Sequence, residues 1–126
     1  MKITIALVIG QAIGLRSLKN IIPKKNIIIK FVIGSDSRYY SILEKICSKN
    51  KIKFFKADSI KKVNKYFKKE QFRSDYLISI FSNLILKKNF LVNFKGCFNI
   101  HPGILPQYAG INPISGMIFN GEKKIG

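Results

Sequence analysis

Ile3-Thr4-Ile5-Ala6-Leu7-Val8-Ile9-Gly10 is an almost unbroken apolar run closed by a glycine. It is short enough for a strand, and it lacks the polar alternation of a strand with one wet face, so both faces must be covered. Such strands belong to parallel sheets with helices packed on either side.

The chain around this run repeats the same logic. After Gly10, residues Ile13, Leu15, Leu18, Ile21 and Ile22 recur at near-helical spacing until Pro23. Residues 27–33 form a second apolar run, closed by Gly34-Ser35-Asp36-Ser37, in which a serine or aspartate can cap the next helix. In that helix Tyr39, Leu43, Ile46 and Cys47 share a stripe, with Lys45 and Lys49 facing water. Residues 52–55 make a third strand. From Ser59, residues Ile60, Val63, Tyr66 and Phe67 alternate at helical spacing with Lys61, Lys62, Lys65, Lys68 and Lys69, an amphipathic helix with a lysine face. Residues 76–81, entered through Asp75, predict the fourth strand. Residues 84–94 predict a turn or short helix, and Gly96 opens a fifth strand. A last helix starts at Pro113, in its favoured first-turn position, with Ile114, Met117 and Ile118 on one face. Strands alternating with helices joined by right-handed crossovers give an α/β fold, an open, mostly parallel, doubly wound (Rossmann-like) sheet.

Composition narrows the class further. A chain of 126 residues supports one domain that buries about two thirds of its unfolded surface without staples. Cys47 and Cys97 have neither metal-ligand spacing nor the density of a secreted disulfide scaffold, and read as buried thiols in a reducing compartment. The apolar N-terminal segment is broken by Gly10-Gln11 and is followed by no small-residue cleavage site, so a first strand explains it better than a signal peptide does. No stretch reaches the roughly 18 uninterrupted apolar residues of a membrane span. The expectation is a soluble, cytoplasmic protein with no membrane partner. The net charge is +17, which invites an anionic partner, but 20 of the 23 basic residues are lysines. Bidentate grip on phosphates and bases favours arginine, so a biased codon composition is a competing explanation.

Chemistry concentrates in one stretch. The only histidine lies in Phe98-Asn99-Ile100-His101-Pro102-Gly103-Ile104-Leu105-Pro106. If this stretch is extended, Asn99 and His101 share one face and Phe98 and Ile100 the other, so one face can pack while the other does chemistry. Pro102 and Gly103 then stop the strand at its C-terminal end, where open α/β sheets hold their ligands. The turn at Gly10-Gln11-Ala12-Ile13-Gly14 does not reproduce the G-x-G-x-x-G dinucleotide fingerprint, and a tight strand-to-helix turn needing glycine accounts for it. As a bare pair, Asn99 and His101 are equally a capping asparagine and a surface histidine. The residues beyond them change the odds, because Pro102-Gly103-Ile104-Leu105-Pro106-Gln107-Tyr108-Ala109-Gly110-Ile111-Asn112-Pro113 spaces its prolines and glycines too specifically for an ordinary connection.

Together these residues resemble the signature of the folate-dependent formyltransferases, Asn-x-His-x-(Ser/Gly)-x-Leu-Pro-x-Tyr-x-Gly-x-x-Pro, followed by a helix and an Asn-Gly turn. Asn120-Gly121-Glu122-Lys123-Lys124-Ile125-Gly126 matches that turn. More weakly, Gly10 and Leu18 fit the family's first turn and helix. Tyr76-Leu77-Ile78-Ser79-Ile80 with Ile85-Leu86 is similar to the strand and apolar turn that line the family's pterin pocket. The resemblance implies attack of a primary amine on the formyl carbon of 10-formyltetrahydrofolate. In that reaction Asn99 donates to the developing oxyanion, and His101 assists it or shuttles the amine proton. It also implies folate contacts from Ser79, Phe81, Ile85, Leu86, Pro102 and Gly103, with the segment from Ser79 to Leu86 and the loop from Pro102 to Gly110 shaping the folate site, and with no metal.

The resemblance bounds these expectations too. Its third catalytic residue, an aspartate in an Asp-x-Gly loop some tens of residues after the histidine, has no counterpart in residues 1–126, and Glu122 does not match it by motif. Residues 1–126 are therefore expected to be a partial N-terminal catalytic domain, truncated, split or frameshifted. Its sheet would be incomplete at the C-terminus, and a partner polypeptide could supply the rest. Ala109 stands where relatives have arginine, and the link from Ile33 to the second helix is short where methionyl-tRNA formyltransferases carry a long basic loop. Both favour a nucleotide-linked amino sugar as acceptor over methionyl-tRNA, while the charge points weakly the other way. An inactive folate-binding remnant and a basic nucleic-acid-binding domain remain as alternatives.

Overall fold

Parallel strands alternate with helices throughout this computed structural model, which describes residues 1–57, 59–70, 73–110 and 112–124, with backbone alone at 60 and 68–70. The chain order is β1 (Ile3–Ile9), α1 (Gln11–Ile21), β2 (Ile27–Gly34), a short 3-10 turn (Ser37–Tyr39), α2 (Tyr40–Lys49), β3 (Lys53–Lys56) and α3 (Ile60–Glu70). It continues with β4 (Tyr76–Ile80), α4 (Lys88–Leu91), β5 (Gly96–Ile100) and α5 (Pro113–Phe119). The expected lysine face of α3 at Lys68 and Lys69, the side chain of Ile60, and Ile125-Gly126 after the Asn-Gly turn fall outside the described residues.

The strands lie in the order β3-β2-β1-β4-β5, all parallel, so the doubly wound α/β expectation holds. From β1 the chain winds one way through β2 to β3, then returns to β4 and β5 on the other side. The crevice where the order reverses is where such sheets bind ligands. Alternation along each strand divides the core in two. Ile5, Leu7, Ile9, Val32 and Ile80 pack with Leu18 of α1 and Leu43 and Cys47 of α2. Ala6, Val8, Phe31, Ile33 and Leu77 pack on the opposite face with Val63 of α3, Phe90 of α4 and Phe94. The almost wholly apolar β1 is thus the central strand, covered on both faces.

Several side chains depart from expectation. Cys97 is exposed on β5, whereas Cys47 is buried as expected. Phe98 and Ile100 share a face as the alternation requires, but they are 58% and 48% exposed, so that face of the edge strand is only thinly covered, the Phe98 ring lying against that of Tyr76 with centroids 6.0 Å apart. The stripes of α1 and α5 are narrower than the apolar pattern implied. Leu18 and Met117 are buried, while Ile13, Ile114 and Ile118 are exposed. Gly10 is needed for a reason other than turn conformation. Its φ is −119°, which any residue adopts, but a Cβ there would sit 2.1 Å from the carbonyl oxygen of Phe81. The glycine lets the β1–α1 turn touch the end of β4. Asp36 caps as anticipated, accepting from the Arg38 backbone N–H at 3.1 Å at the start of the 3-10 turn.

Candidate active site

The parallel register of β4 and β5 sets Ser79 beside Asn99 and Leu77 beside Cys97. Strand alternation turns these four residues to one face, and they form the floor of a cavity of about 560 Å³ at the C-terminal ends of the two strands. Residues 82–86, which have no regular secondary structure, and Leu91 of α4 form one wall. His101, Pro102, Gly110 and Pro113 form another, and Gln11 at the start of α1 closes the side toward β1. Leu77, Phe81, Leu84, Ile85, Leu86 and Leu91 make the lining largely apolar, and the polar side chains of Ser79, Ser82, Asn83, Asn99 and His101 stand among them. This mixture is typical of small-molecule sites.

Seven of the eight candidate residues line this cavity: Asn99, His101, Ser79, Phe81, Ile85, Leu86 and Pro102. Gly103 does not. It is buried behind the wall, where a Cβ would lie 2.4 Å from the Cβ of Pro113 and 2.8 Å from the Tyr108 carbonyl oxygen. Its part is to let the turn close up behind His101. Leu77 belongs to the stretch already likened to the pocket strand, but Cys97 was missed although it sits two residues before Asn99, so the period of two would have found it. Ser82, Asn83 and Leu84 fall within the segment from Ser79 to Leu86 expected to shape the folate site, whereas Gln11, Leu91 and Pro113 carried no such signal, because tertiary packing brings them in.

The two candidate catalytic side chains differ in how they are held. Asn99 makes no side-chain hydrogen bond among the described residues, so its amide is free toward the cavity. His101 is half-buried and fixed, its Nε2 lying 2.8 Å from the backbone carbonyl oxygen of Tyr108. The Tyr108 hydroxyl in turn donates to Glu122 Oε1 at 2.7 Å and accepts from Asn120 Nδ2 at 3.1 Å. The Asn120 amide pulls the phenol's pKa down, while the Glu122 carboxylate and partial burial push it up and prevail, leaving it above the ordinary value. Burial raises the Cys97 thiol modestly, and pushes that of Cys47 up to about 11.

The backbone at the rim is strained. Phe81, just past β4, and Gln11 both take left-handed conformations, with φ of 50° and 56°. Such backbone is uncommon outside glycine and a genuine outlier for a bulky residue, and it concentrates at ligand sites. Among the described residues, no group of three or more His, Cys, Asp or Glu side chains is placed to hold a metal ion. No described helix is long and apolar enough to cross a membrane.

Comparison with known proteins places this geometry in context. Residues 2–126 match the family described as formyl transferase. The chain is 33% identical over 111 residues to the methionyl-tRNA formyltransferase of Orientia tsutsugamushi (strain Boryong), a match covering 82% of this chain and 36% of the relative. It is 50% identical over 48 residues to the protein of the same name from Borreliella burgdorferi (strain ZS7), covering 36% of this chain and 15% of the relative. The match therefore spans little more than a third of these curated relatives' length at most. Among solved structures, the phosphoribosylglycinamide formyltransferase of Anaplasma phagocytophilum superposes over the whole chain and 62% of its own length, with a TM-score of 0.73 at 20% identity. That of Brucella melitensis does so over 70% of its length with a TM-score of 0.73 at 14% identity, likenesses of fold.

Proposed function

The chain belongs to the formyl transferase family, and from that membership we propose that it carries the donor half of a formyl-transfer site. In this reading 10-formyltetrahydrofolate supplies the formyl group and a primary amine receives it, with residues 1–126 as part of an N-terminal catalytic domain working in the cytoplasm. The observation that carries the reading is the meeting of Asn99, His101 and Ser79 around one cavity at the strand ends. The cavity suits the donor's planar, heteroaromatic head. Its walls are largely apolar, and the peptide groups of residues 82–86 in the wall lie outside any helix or strand ladder, where a hydrogen-bonding ring edge can meet them.

The residues divide the work by chemistry. Ser79, Phe81, Ile85, Leu86 and Pro102 hold the folate head, with Gly103 closing the turn behind them. Asn99 presents an amide N–H to the formyl oxygen, where negative charge builds as the amine attacks. A donor already in place costs no reorganisation at that moment. His101, held by Tyr108, takes or relays the proton that the amine loses, and N10 of the folate gains a proton as its bond to the formyl carbon breaks and tetrahydrofolate leaves. No step requires a metal.

The relatives' names favour methionyl-tRNA as the acceptor, and a charge of +17 suits a polyanion. A nucleotide-linked amino sugar is the second reading. It is favoured by Ala109 and by the short link from Gly34 to the 3-10 turn at Ser37. Incubating the chain with 10-formyltetrahydrofolate and each acceptor, and following formyl transfer, separates the two. Asn99→Ala should lower the rate by about 10²- to 10³-fold. Tight donor binding with no transfer to either acceptor would replace both readings with that of an inactive folate-binding module. It would also leave room for a partner polypeptide that completes the site.

A further inference from the structure

The contact between His101 and Tyr108 has a fixed direction. A peptide carbonyl has no proton to give, so at 2.8 Å from the Tyr108 oxygen it is Nε2 of His101 that must donate. In the neutral ring Nδ1 then carries the lone pair, on a side chain that lines the cavity. The position of that carbonyl is set from two sides. Locally, the Tyr108 N–H donates to the Ile104 carbonyl at 2.9 Å, and Gly103 leaves the space that the tyrosine backbone occupies. From a distance, the Tyr108 ring crosses α5 at Gly116, where a Cβ would lie 3.4 Å from Cδ1, and its hydroxyl reaches Asn120 and Glu122.

These last two residues are themselves placed by the end of α5. Gly121 has a φ of 67°. Its N–H donates to the Ile118 carbonyl at 3.0 Å and the Glu122 N–H to the Met117 carbonyl at 2.9 Å. This is the double bond pattern of a Schellman cap, with glycine in the left-handed position. The cap turns Asn120 and Glu122 back onto the tyrosine hydroxyl, so the Asn-Gly-Glu sequence has a use beyond stopping the helix.

We propose that Tyr108, clamped by Asn120 and Glu122, is a positioning residue that holds His101 as the Nε2–H tautomer and presents Nδ1 to the cavity as the proton acceptor. That the proton comes from an amine rests on the formyl-transfer reading above; the tautomer and the clamp do not. Because His101 is the only histidine, its ring gives one set of signals in a two-bond proton–nitrogen correlation spectrum of the ¹⁵N-labelled chain. At about pH 8.5, two units above the ordinary imidazole value, the wild type is expected to show a protonated Nε2 whose hydrogen exchanges slowly with water. Tyr108→Phe and Glu122→Ala should each speed that exchange at least about tenfold, the scale of losing a hydrogen bond to a charged group. Glu122→Gln, whose amide oxygen still accepts from the hydroxyl, should stay close to the wild type. A protonated Nδ1 in the wild type would overturn the proposal, as would equal exchange in Glu122→Ala and Glu122→Gln. Position 122 is exposed and follows the last helix, so this pair decides the matter even if Tyr108→Phe perturbs the fold. The spectra contain neither donor nor acceptor, so a negative result is separate from failure of the transfer assay.

Discussion

Asn99 and His101 reach the same cavity because a strand repeats every two residues, and the proline and glycine that follow end that strand at the cavity. Periodicity and turn chemistry are local, and to that extent the candidate site was legible in the sequence. What holds His101 was not. Tyr108 lies seven residues on and Glu122 a further fourteen, and only the cap of α5 brings them together. Cys97 was misjudged on the same ground, since an apolar neighbourhood in sequence does not reveal that β5 is an edge strand. The two thiols now make a prediction. Cys97 is exposed in the cavity floor, while Cys47 is buried with its thiol pushed up to about 11. A thiol reagent at pH 8 should therefore modify one cysteine in the folded chain and two after denaturation. A stable formyl-folate analogue should protect Cys97; rapid loss of both thiols in the native state would contradict the burial of Cys47.

At the level of elements, β1, β4 and β5 are fastened at their N-terminal ends by one carboxylate, opposite the cavity. Asp75 Oδ2 accepts from the Thr4 N–H at 3.0 Å and from its hydroxyl at 2.6 Å, and Oδ1 pairs with Lys95 Nζ at 2.6 Å. The Lys95 ammonium first, then Thr4, hold the Asp75 carboxyl far below the usual carboxylate range. A depressed native pKa favours the folded state fully above the unfolded value of about 3.9, and that contribution declines as pH falls toward the native value. Asp75→Asn should lower the unfolding midpoint at pH 7 and flatten its fall below about pH 4, measured by thermal melts across pH. Element types and order were legible because the central strands are largely apolar runs and each long helix an amphipathic one, although β3 carries only Phe54 and Phe55 between two lysines. The four-residue α4 is too short to carry a period, and only a turn or short helix was foreseen there. It matters nonetheless. Phe90 is buried against Phe67 and Phe94, with ring centroids 5.0 and 5.4 Å away, and α4 supplies Leu91 to the cavity wall. Phe90→Ala should cost about 3–5 kcal/mol in chemical denaturation.

For the whole molecule, the doubly wound sheet places the cavity at the C-terminal ends of β4 and β5, beside the reversal of order between β1 and β4, and the formyl transferase match covers residues 2–126. Charge says less. Lysines supply 20 of the 23 basic residues, a composition that attracts any polyanion without selecting one. The central claim is that the cavity between β4 and β5 is a formyl-donor site. It is tested most directly by titrating the ¹⁵N-labelled chain with a hydrolysis-stable 10-formyl folate analogue and mapping the amide shift changes. The expected result is saturable change confined to residue 11 and residues 77–86, 91 and 97–110, with Asn99 and Ser79 among the largest. Saturation centred elsewhere on the chain, or no change at about 1 mM analogue, the weak end of specific binding, would contradict it.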